Sequence, residues 1–261
     1  MGKEKTIEER ITFLTNLELD APDLGDIPTI PHRLENASAG VDAGSLVTFS
    51  GGVTEQNQAD VKNSCLLAAN KEYDREKQTE QWYRFYAEVL ENVGWVIQEF
   101  QFSRITSKKG DFEASAIMFE ILRAFCTEDE KVAISATVHA LSELANSDYR
   151  VRIFESCSHS AQMGNFQHSS CILKDGSVTM HLGACYFSTT QHISRLLFTK
   201  FSFSDVDAYQ GSQTVELDMD VYLTLERTAK DCIHCGHCKK RCPFSVDQMR
   251  RMDEIKEYFR C

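Results

Sequence analysis

Residues 166–187 read FQHSSCILKDGSVTMHLGACYF, and this stretch decides the class of fold that we predict. Asp175-Gly176 in its middle is a favourable two-residue hairpin turn, because glycine readily accepts a positive φ. The segments on either side, near 166–173 and 177–187, are therefore predicted to be antiparallel strands of one hairpin. A sheet built from strands with short connections follows for the second half of the chain.

Alternation of apolar and polar residues extends beyond this hairpin in both directions. It begins after Asn146, and residues 196–203 are interpreted as a further strand. The most regular alternation runs from Val215 to Leu225 and predicts a strand with one apolar face. Its other face, which we interpret as a solvated sheet surface, carries Glu216, Asp218 and Asp220.

The first half of the chain is patterned as helices rather than strands. An apolar stripe at helical spacing runs from Trp82 to Val93 and is followed by Gly94, a typical helix end. Capping boxes, in which a Thr hydroxyl and a Glu carboxylate each bind a free backbone N–H, begin at Thr6 and Thr127. Further helices are predicted from about Thr54 and over about 113–126 and 128–145. Residues 20–53, which hold three of the four prolines, are interpreted as an extended arm or long loop.

Helices followed by strands predict an α+β fold with an antiparallel sheet. The chain has 261 residues and a net charge of −11, unevenly distributed. From Lys230 onward there are eight Lys/Arg and five Asp/Glu, whereas the preceding residues hold 20 and 34. We therefore divide the chain into an acidic body, 1–228, and a basic, cysteine-rich module, 229–261. An acidic body argues against a nucleic-acid partner, since binding to phosphates needs a basic surface.

Half of the ten cysteines lie in the C-terminal module. No secretory signal is visible at the N-terminus, so we expect a cytoplasmic protein whose cysteines are thiols or metal ligands. Cys232, Cys235, Cys238 and Cys242 have the spacing C-x₂-C-x₂-C-x₃-C-P of bacterial ferredoxins. The short gaps allow one loop to place successive thiolates on different irons. The run thus predicts a [4Fe–4S] cluster with these four ligands.

The module also resembles the C-terminal iron–sulfur extension of some bacterial aldo/keto reductases. The resemblance covers about the last 30 residues, from the Cys-Gly-His-Cys core through Arg241-Cys242-Pro243-Phe244 to Glu257-Tyr258-Phe259. It implies ligation of a cluster by the same four cysteines. The reductase activity of that family is not implied, because its alternating barrel and catalytic set have no counterpart in the body.

Two questions about the metal stay open at the level of sequence. Zinc could replace the cluster, with His234 or His237 completing a tetrahedral site. The fourth ligand of a cluster could also be remote, since the last cysteine of such runs serves the other cluster in two-cluster ferredoxins. The remote candidates are Cys157, Cys171, Cys185 and Cys261. A second possible metal group combines Cys157 and His159 with His168 and Cys171, although a polar loop and strand surface is the more ordinary interpretation.

The first functional hypothesis is an iron–sulfur protein for electron transfer or redox sensing, whose redox partner docks at the basic loop Lys239–Arg241. The alternative is a non-enzymatic binding or membrane-acting, toxin-like α+β protein. In that case the cysteine tail is a structural metal staple, holding an iron–sulfur cluster or zinc, or an appended fusion, and membrane contact is left open. No phosphate-binding, nucleophile-elbow or metalloprotease motif is present, so the sequence does not decide whether the protein is an enzyme.

Overall fold

The computed structural model describes residues 5–17, 38–42, 44–50, 52–68, 72–75, 77–97, 102–106, 111–123, 126–143, 154–155, 158–194, 196, 199–202 and 205–230. Within them the chain forms six helices and nine strands in an α+β arrangement, which confirms the predicted fold class. The helices are α1 (Ile7–Thr15), α2 (Glu55–Ala68), α3 (Thr79–Val93), α4 (Ala114–Arg123), α5 (Glu128–Glu143) and α6 (Met219–Lys230). The strands are β1 (Ser38–Asp42), β2 (Ser45–Phe49), β3 (Trp95–Val96), β4 (Ser103–Arg104), β5 (Asp111–Glu113), β6 (Met163–Lys174), β7 (Ser177–Thr189), β8 (Lys200–Ser202) and β9 (Val206–Leu217).

The main sheet is seven-stranded, with the order β1-β2-β6-β7-β9-β3, and β4 pairs with β9 beside β3. The predicted hairpin is its centre: β6 and β7 pair over their whole length around Asp175-Gly176. Both turn residues have positive φ, 49° and 87°, as a two-residue hairpin turn of this kind requires. The short strands β5 and β8 form a separate two-stranded sheet.

The sheet is mixed rather than antiparallel throughout, which corrects one detail of the prediction. β2 runs parallel to β6, with Ser45 opposite Gln167 and Phe49 opposite Cys171. The predicted arm at 20–53 therefore contains two strands, β1 and β2. All five side chains of β2 are buried, and a strand covered on both faces shows no alternation in its sequence.

The strand predicted from Val215 to Leu225 is wrong in its second half. β9 ends at Leu217, and α6 begins at Met219. The side chain of Asp218 accepts hydrogen bonds from the backbone N–H groups of Asp220 and Val221, both at 3.1 Å, and so caps the new helix. Glu216, Asp218 and Asp220 consequently do not share one sheet face. The proposed boundary at 228 falls in the last turn of α6.

Helices cover both faces of the sheet and enclose two cores. On one face, α1, α2, α3 and α6 pack against Phe49, Met180, Leu182 and Val215. On the other face, α4 and α5 pack against Leu46, Phe166, Cys185 and Phe187. The central strand β6 is therefore shielded from water on both sides. Among the described residues, none of the helices combines the length and apolarity needed to cross a bilayer.

Candidate functional site

The residues of the predicted cluster, Cys232, Cys235, Cys238 and Cys242, lie outside the described residues, as does the basic loop Lys239–Arg241. Two of the remote candidates, Cys171 and Cys185, are fully buried. Burial raises the pKa of both thiols well above the ordinary value. They also face opposite cores, so the sheet separates them.

The second predicted Cys/His group does not assemble in the described part of the chain. His168 and Cys171 are three residues apart on β6 and so point to opposite faces of the sheet. The ring of His159 instead meets the carboxylate of Glu155, with Nε2 and Oε2 3.2 Å apart. Cys157 lies outside the described residues.

The central strand has an unusual composition for its position. The side chains of Asn165, Gln167, His168, Ser169 and Ser170 are all buried, and we call residues 165–170 the polar segment of β6. Asn165 is well satisfied, because its Oδ1 accepts a hydrogen bond from the Tyr83 hydroxyl at 2.6 Å. Gln167 interacts with the Tyr83 hydroxyl and Ser170 with the Cys126 thiol, whereas both ring nitrogens of His168 and the hydroxyl of Ser169 have no hydrogen-bond partner among the described residues.

Beside this segment, three reactive side chains meet on the α5 side of the sheet. His181 lies on β7 opposite Ser170, and its Nδ1 is 2.8 Å from Glu130 Oε1 in the first turn of α5. The Sγ of Cys126, just before α5, is 3.8 Å from the same Nδ1. We call Cys126, Glu130 and His181 the buried triad; their exposed fractions are 8%, 0% and 7%.

The start of α5 fixes the carboxylate of the triad. Glu130 Oε2 accepts hydrogen bonds from the backbone N–H of Thr127 at 2.8 Å and from its hydroxyl at 2.9 Å. The Thr127 hydroxyl lies 3.3 Å from the Glu130 backbone N–H, so the capping box predicted from the sequence is formed. Glu130 thus has one oxygen engaged by Thr127, while the other oxygen faces His181.

The electrostatics of the triad follow from its burial. Burial, and after it the nearby Glu130 carboxylate, raises the pKa of the Cys126 thiol to about 12. Burial alone would raise the pKa of Glu130, but hydrogen bonds from His181 and Thr127 outweigh it, and the net pKa is lowered. A neutral thiol therefore lies beside an ionised carboxylate.

This geometry does not match a nucleophilic catalytic triad. In such a triad the two ring nitrogens of histidine serve different partners, the nucleophile and the acid. Here the same nitrogen, Nδ1, is nearest to both the thiol and the carboxylate. What the three side chains offer is one sulfur, one nitrogen and one oxygen donor, all within 4.8 Å of one another.

Sequence reasoning found only part of this arrangement. The capping box from Thr127 to Glu130 is visible as a local pattern, and Cys126 directly precedes it. His181 is 51 residues away from Glu130 and sits in the middle of a strand, so no spacing in the sequence links the two. The sheet register alone brings them together.

The chain matches no protein-family model and no curated protein. Solved structures that align with the chain include the following three. A delta-endotoxin aligns at a TM-score of 0.41 and 13% identity, over 76% of this chain and 96% of its own. The Evf virulence factor aligns at a TM-score of 0.37 and 9% identity, over 96% of this chain and 90% of its own. The activated Cyt2Ba monomer from Bacillus thuringiensis subsp. israelensis aligns at a TM-score of 0.34 and 12% identity, over 67% of this chain and 97% of its own. The likeness is weak by both measures and assigns no function to this chain.

Proposed function

We propose that the α+β body is a membrane-acting module, whose helices separate from the sheet at a lipid surface, and that the cysteine tail is a structural metal staple. The observation that carries this proposal is the polar segment of β6, buried between two helical layers. A strand covered on both faces is ordinarily a near-continuous apolar run. The polar segment departs from that rule at five of its six positions, Asn165 and 167–170, with Phe166 as the exception.

The free energy of the closed state supports such an opening. Each buried polar group without a partner costs about 1–3 kcal/mol, because it has lost its hydrogen bonds to water. Two side chains of the polar segment carry such groups among the described residues, namely His168, with both ring nitrogens, and Ser169. When water reaches the sheet, these groups form hydrogen bonds to water again and the free-energy cost disappears. The helices are therefore held less firmly than they would be over an apolar strand.

The helices are suited to a lipid surface once they leave the sheet. In α3, Trp82, Val89 and Leu90 are buried on one side, while Glu80 and Glu88 are exposed on the other. An amphipathic helix of this kind can lie in the membrane interface with its apolar side among the acyl chains. Opening at a bilayer therefore keeps the apolar faces out of water while the polar strand becomes hydrated.

Net charge indicates which lipid surface fits. The residues before Lys230 have 14 more acidic than basic side chains. Anionic headgroups attract basic segments and repel acidic ones within a Debye length. We therefore expect the module to act on zwitterionic phosphatidylcholine surfaces in preference to phosphatidylserine-rich ones.

A reversible cross-link between helix and sheet tests the opening. A Cβ on Gly183 of β7 would lie 2.8 Å from the Cγ2 of Ile121 in α4 and 3.0 Å from the Cδ2 of Leu122, so positions 121 and 183 are adjacent and a disulfide between them requires a small shift of the Leu122 side chain. The double variant Ile121→Cys/Gly183→Cys is added to dye-loaded phosphatidylcholine vesicles in oxidised and in reduced form. We expect dye release from the wild type and the reduced variant, and none from the oxidised variant.

The single variant Ile121→Cys is the matched control, because it carries the same new thiol on α4 but cannot bridge to the sheet. Its release should not depend on oxidation. The membrane proposal fails if the wild type releases no dye from vesicles of either composition. It also fails if the oxidised double variant, shown to be cross-linked by mass, releases dye as fast as its reduced form.

The second candidate function is electron transfer or redox sensing through a [4Fe–4S] cluster. It is favoured by the C-x₂-C-x₂-C-x₃-C-P run and by the resemblance of the module to an iron–sulfur extension. Cys232, Cys235, Cys238 and Cys242 would hold the cluster, Lys239–Arg241 would offset its charge and receive a redox partner, and a reducing cytoplasm would preserve the thiols.

Metal analysis of the anaerobically purified chain tests the cluster that the second candidate requires. A cluster predicts iron and sulfide in equal amounts and a broad visible band, near about 400 nm for thiolate-bound iron–sulfur centres, that dithionite bleaches. A colourless protein with zinc would eliminate the cluster. The full-length variant with serine at all four positions should keep dye release if the body is the acting part.

A further inference from the structure

The buried triad has the composition of a metal site rather than of a hydrogen-bonded core pair. Its three side chains come from two parts of the chain: Cys126, two residues before α5, and Glu130 in its first turn, and His181 in the middle of β7. We propose that Cys126 Sγ, Glu130 Oε1 and His181 Nδ1 bind a zinc-type divalent transition-metal ion. This site is independent of the C-terminal cysteine run.

The distances between the donor atoms fit an ion of this kind. Bonds to zinc of about 2.0–2.3 Å in tetrahedral geometry hold the ligand atoms about 3.3–3.8 Å from one another. In the triad, Sγ and Nδ1 are 3.8 Å apart, and Nδ1 and Oε1 are 2.8 Å apart. An opening of the second distance by about half an ångström completes the tetrahedral spacing, since the His–Glu hydrogen bond is then replaced by two metal bonds.

Charge balance is the second argument. A thiolate and a carboxylate together neutralise a divalent cation, and the imidazole is neutral when it ligates. The assembly is therefore uncharged, as a site with exposed fractions of 8%, 0% and 7% requires. Without an ion, the buried Glu130 carboxylate is stabilised by its contacts with Thr127 and His181.

Hydrogen bonds from Thr127 already hold the carboxylate of Glu130 in place. Ligating carboxylates are typically oriented by hydrogen bonds to their other oxygen. Thr127 binds Glu130 Oε2 through both its backbone N–H and its hydroxyl, which directs Oε1 toward His181 and Cys126. The capping box of α5 thus also positions a ligand.

A further buried histidine lies on the same face of the sheet. His168 of β6 is opposite Gly183, which is two residues along β7 from His181, so the two histidines are diagonal neighbours on the side facing α5. His168 is 2% exposed, and neither of its ring nitrogens has a hydrogen-bond partner among the described residues. Its ring nitrogens are not among the donor atoms that lie within 4.8 Å of one another, so the proposed ligands are Cys126, Glu130 and His181.

The donor set decides the class of metal. Sulfur and imidazole nitrogen are ligands for Zn²⁺ and its neighbours in the transition series, whereas Ca²⁺ and Mg²⁺ take oxygen ligands. The three donors are buried, two of them at the start of α5 and one on β7. The proposed role is therefore to tie α5 to the sheet.

Cobalt binding to the full chain tests the site. The metal ligands of the C-terminal run are first removed by replacing Cys232, Cys235, Cys238 and Cys242 with serine. The metal-free protein is then titrated with Co²⁺. A thiolate-to-cobalt charge-transfer band reports a sulfur ligand. We expect one Co²⁺ per chain with this band. Cys126→Ser should abolish the band, and His181→Ala and Glu130→Gln should each weaken binding at least tenfold.

Cys65→Ser is the matched control, because Cys65 is also buried but lies on α2 against the opposite face of the sheet. Its variant should bind Co²⁺ as the parent does. A missing band in the folded parent, or a band that survives Cys126→Ser, would overturn the proposal. If the four-serine chain does not fold, zinc is counted in the wild type and in Cys126→Ser, and equal zinc contents would overturn it as well.

Discussion

His168 is the residue whose burial has the clearest consequence for pH dependence. Burial lowers the pKa of its imidazole from 6.5 to about 3 in the folded protein. The unfolded chain takes up a proton as the pH falls through about 6.5, whereas the folded chain does so only near 3. Stability is therefore present above about pH 6.5 and is lost progressively below it.

The size of this effect can be measured by urea unfolding in the presence of a chelator. Between pH 7 and pH 5 the imidazole should lower the free energy of unfolding by about 2 kcal/mol. His168→Leu should remove this part of the pH dependence and leave stability at pH 7 equal or higher, since two unpartnered nitrogens disappear. The ionisable side chains of Cys126, Glu130, His181 and Cys185 lie on the same side of the sheet but are common to both proteins. His192→Gln, at an exposed position, is the control, and an unchanged slope in His168→Leu would refute the assignment.

The residues of the buried triad mark where prediction from the sequence ends. Cys126 and Glu130 are close in the chain, but nothing local distinguishes them from an ordinary helix start. His181 lies within a predicted strand, and its partners depend on which strand face meets α5. Contacts between residues 51 positions apart are set by sheet register and helix packing, which a single sequence does not specify.

At the scale of elements, the two capping boxes make a matched pair. Thr6 and Glu9 form one on α1, with side-chain to backbone distances of 2.8 and 3.2 Å, and Thr127 and Glu130 form the other on α5. Replacement of either threonine by alanine should lower the free energy of unfolding by about 1 kcal/mol. Chemical denaturation measures this loss in both variants.

Only one of these caps is expected to affect metal binding. Thr127 orients the proposed ligand Glu130. Loss of a group that is hydrogen-bonded to a metal ligand typically reduces metal affinity about 10–100-fold. Cobalt titration of Thr127→Ala should show this decrease, while Thr6→Ala should bind as the parent does. Equal affinities in the two variants would mean that the α5 box is a helix cap and nothing more.

Helices and strands with a clear local sequence pattern were predictable. Those whose pattern is obscured by burial on both faces or by an adjoining strand were not. α3 followed from its apolar stripe and from Gly94, whose φ of 119° ends the helix. The β6–β7 hairpin followed from Asp175-Gly176. β2 was missed because a strand buried on both faces loses its alternation, and α6 was missed because Asp218, its cap, falls in phase with the alternation of β9.

At the scale of the whole molecule, the polar segment and the buried triad act in opposite directions. The polar segment weakens the hold of the helices on the sheet, because its unpartnered groups are satisfied when water enters. A metal at the triad strengthens that hold, because it links α5 to β7 through bonds that opening must break. Helix release from the sheet should therefore depend on metal occupancy.

Dye release from phosphatidylcholine vesicles provides the measurement. Zinc at about 100 times its dissociation constant stabilises the closed state by about 2.7 kcal/mol, equivalent to about 100-fold slower opening if opening abolishes binding. We expect zinc to slow release by the four-serine chain, and to leave release by the same chain carrying Cys126→Ser unchanged. If zinc slows both equally, its effect lies outside the triad. If cobalt still binds but zinc slows neither, the metal stabilises a part of the fold that stays closed at the membrane, and α5 would not be among the helices that leave the sheet.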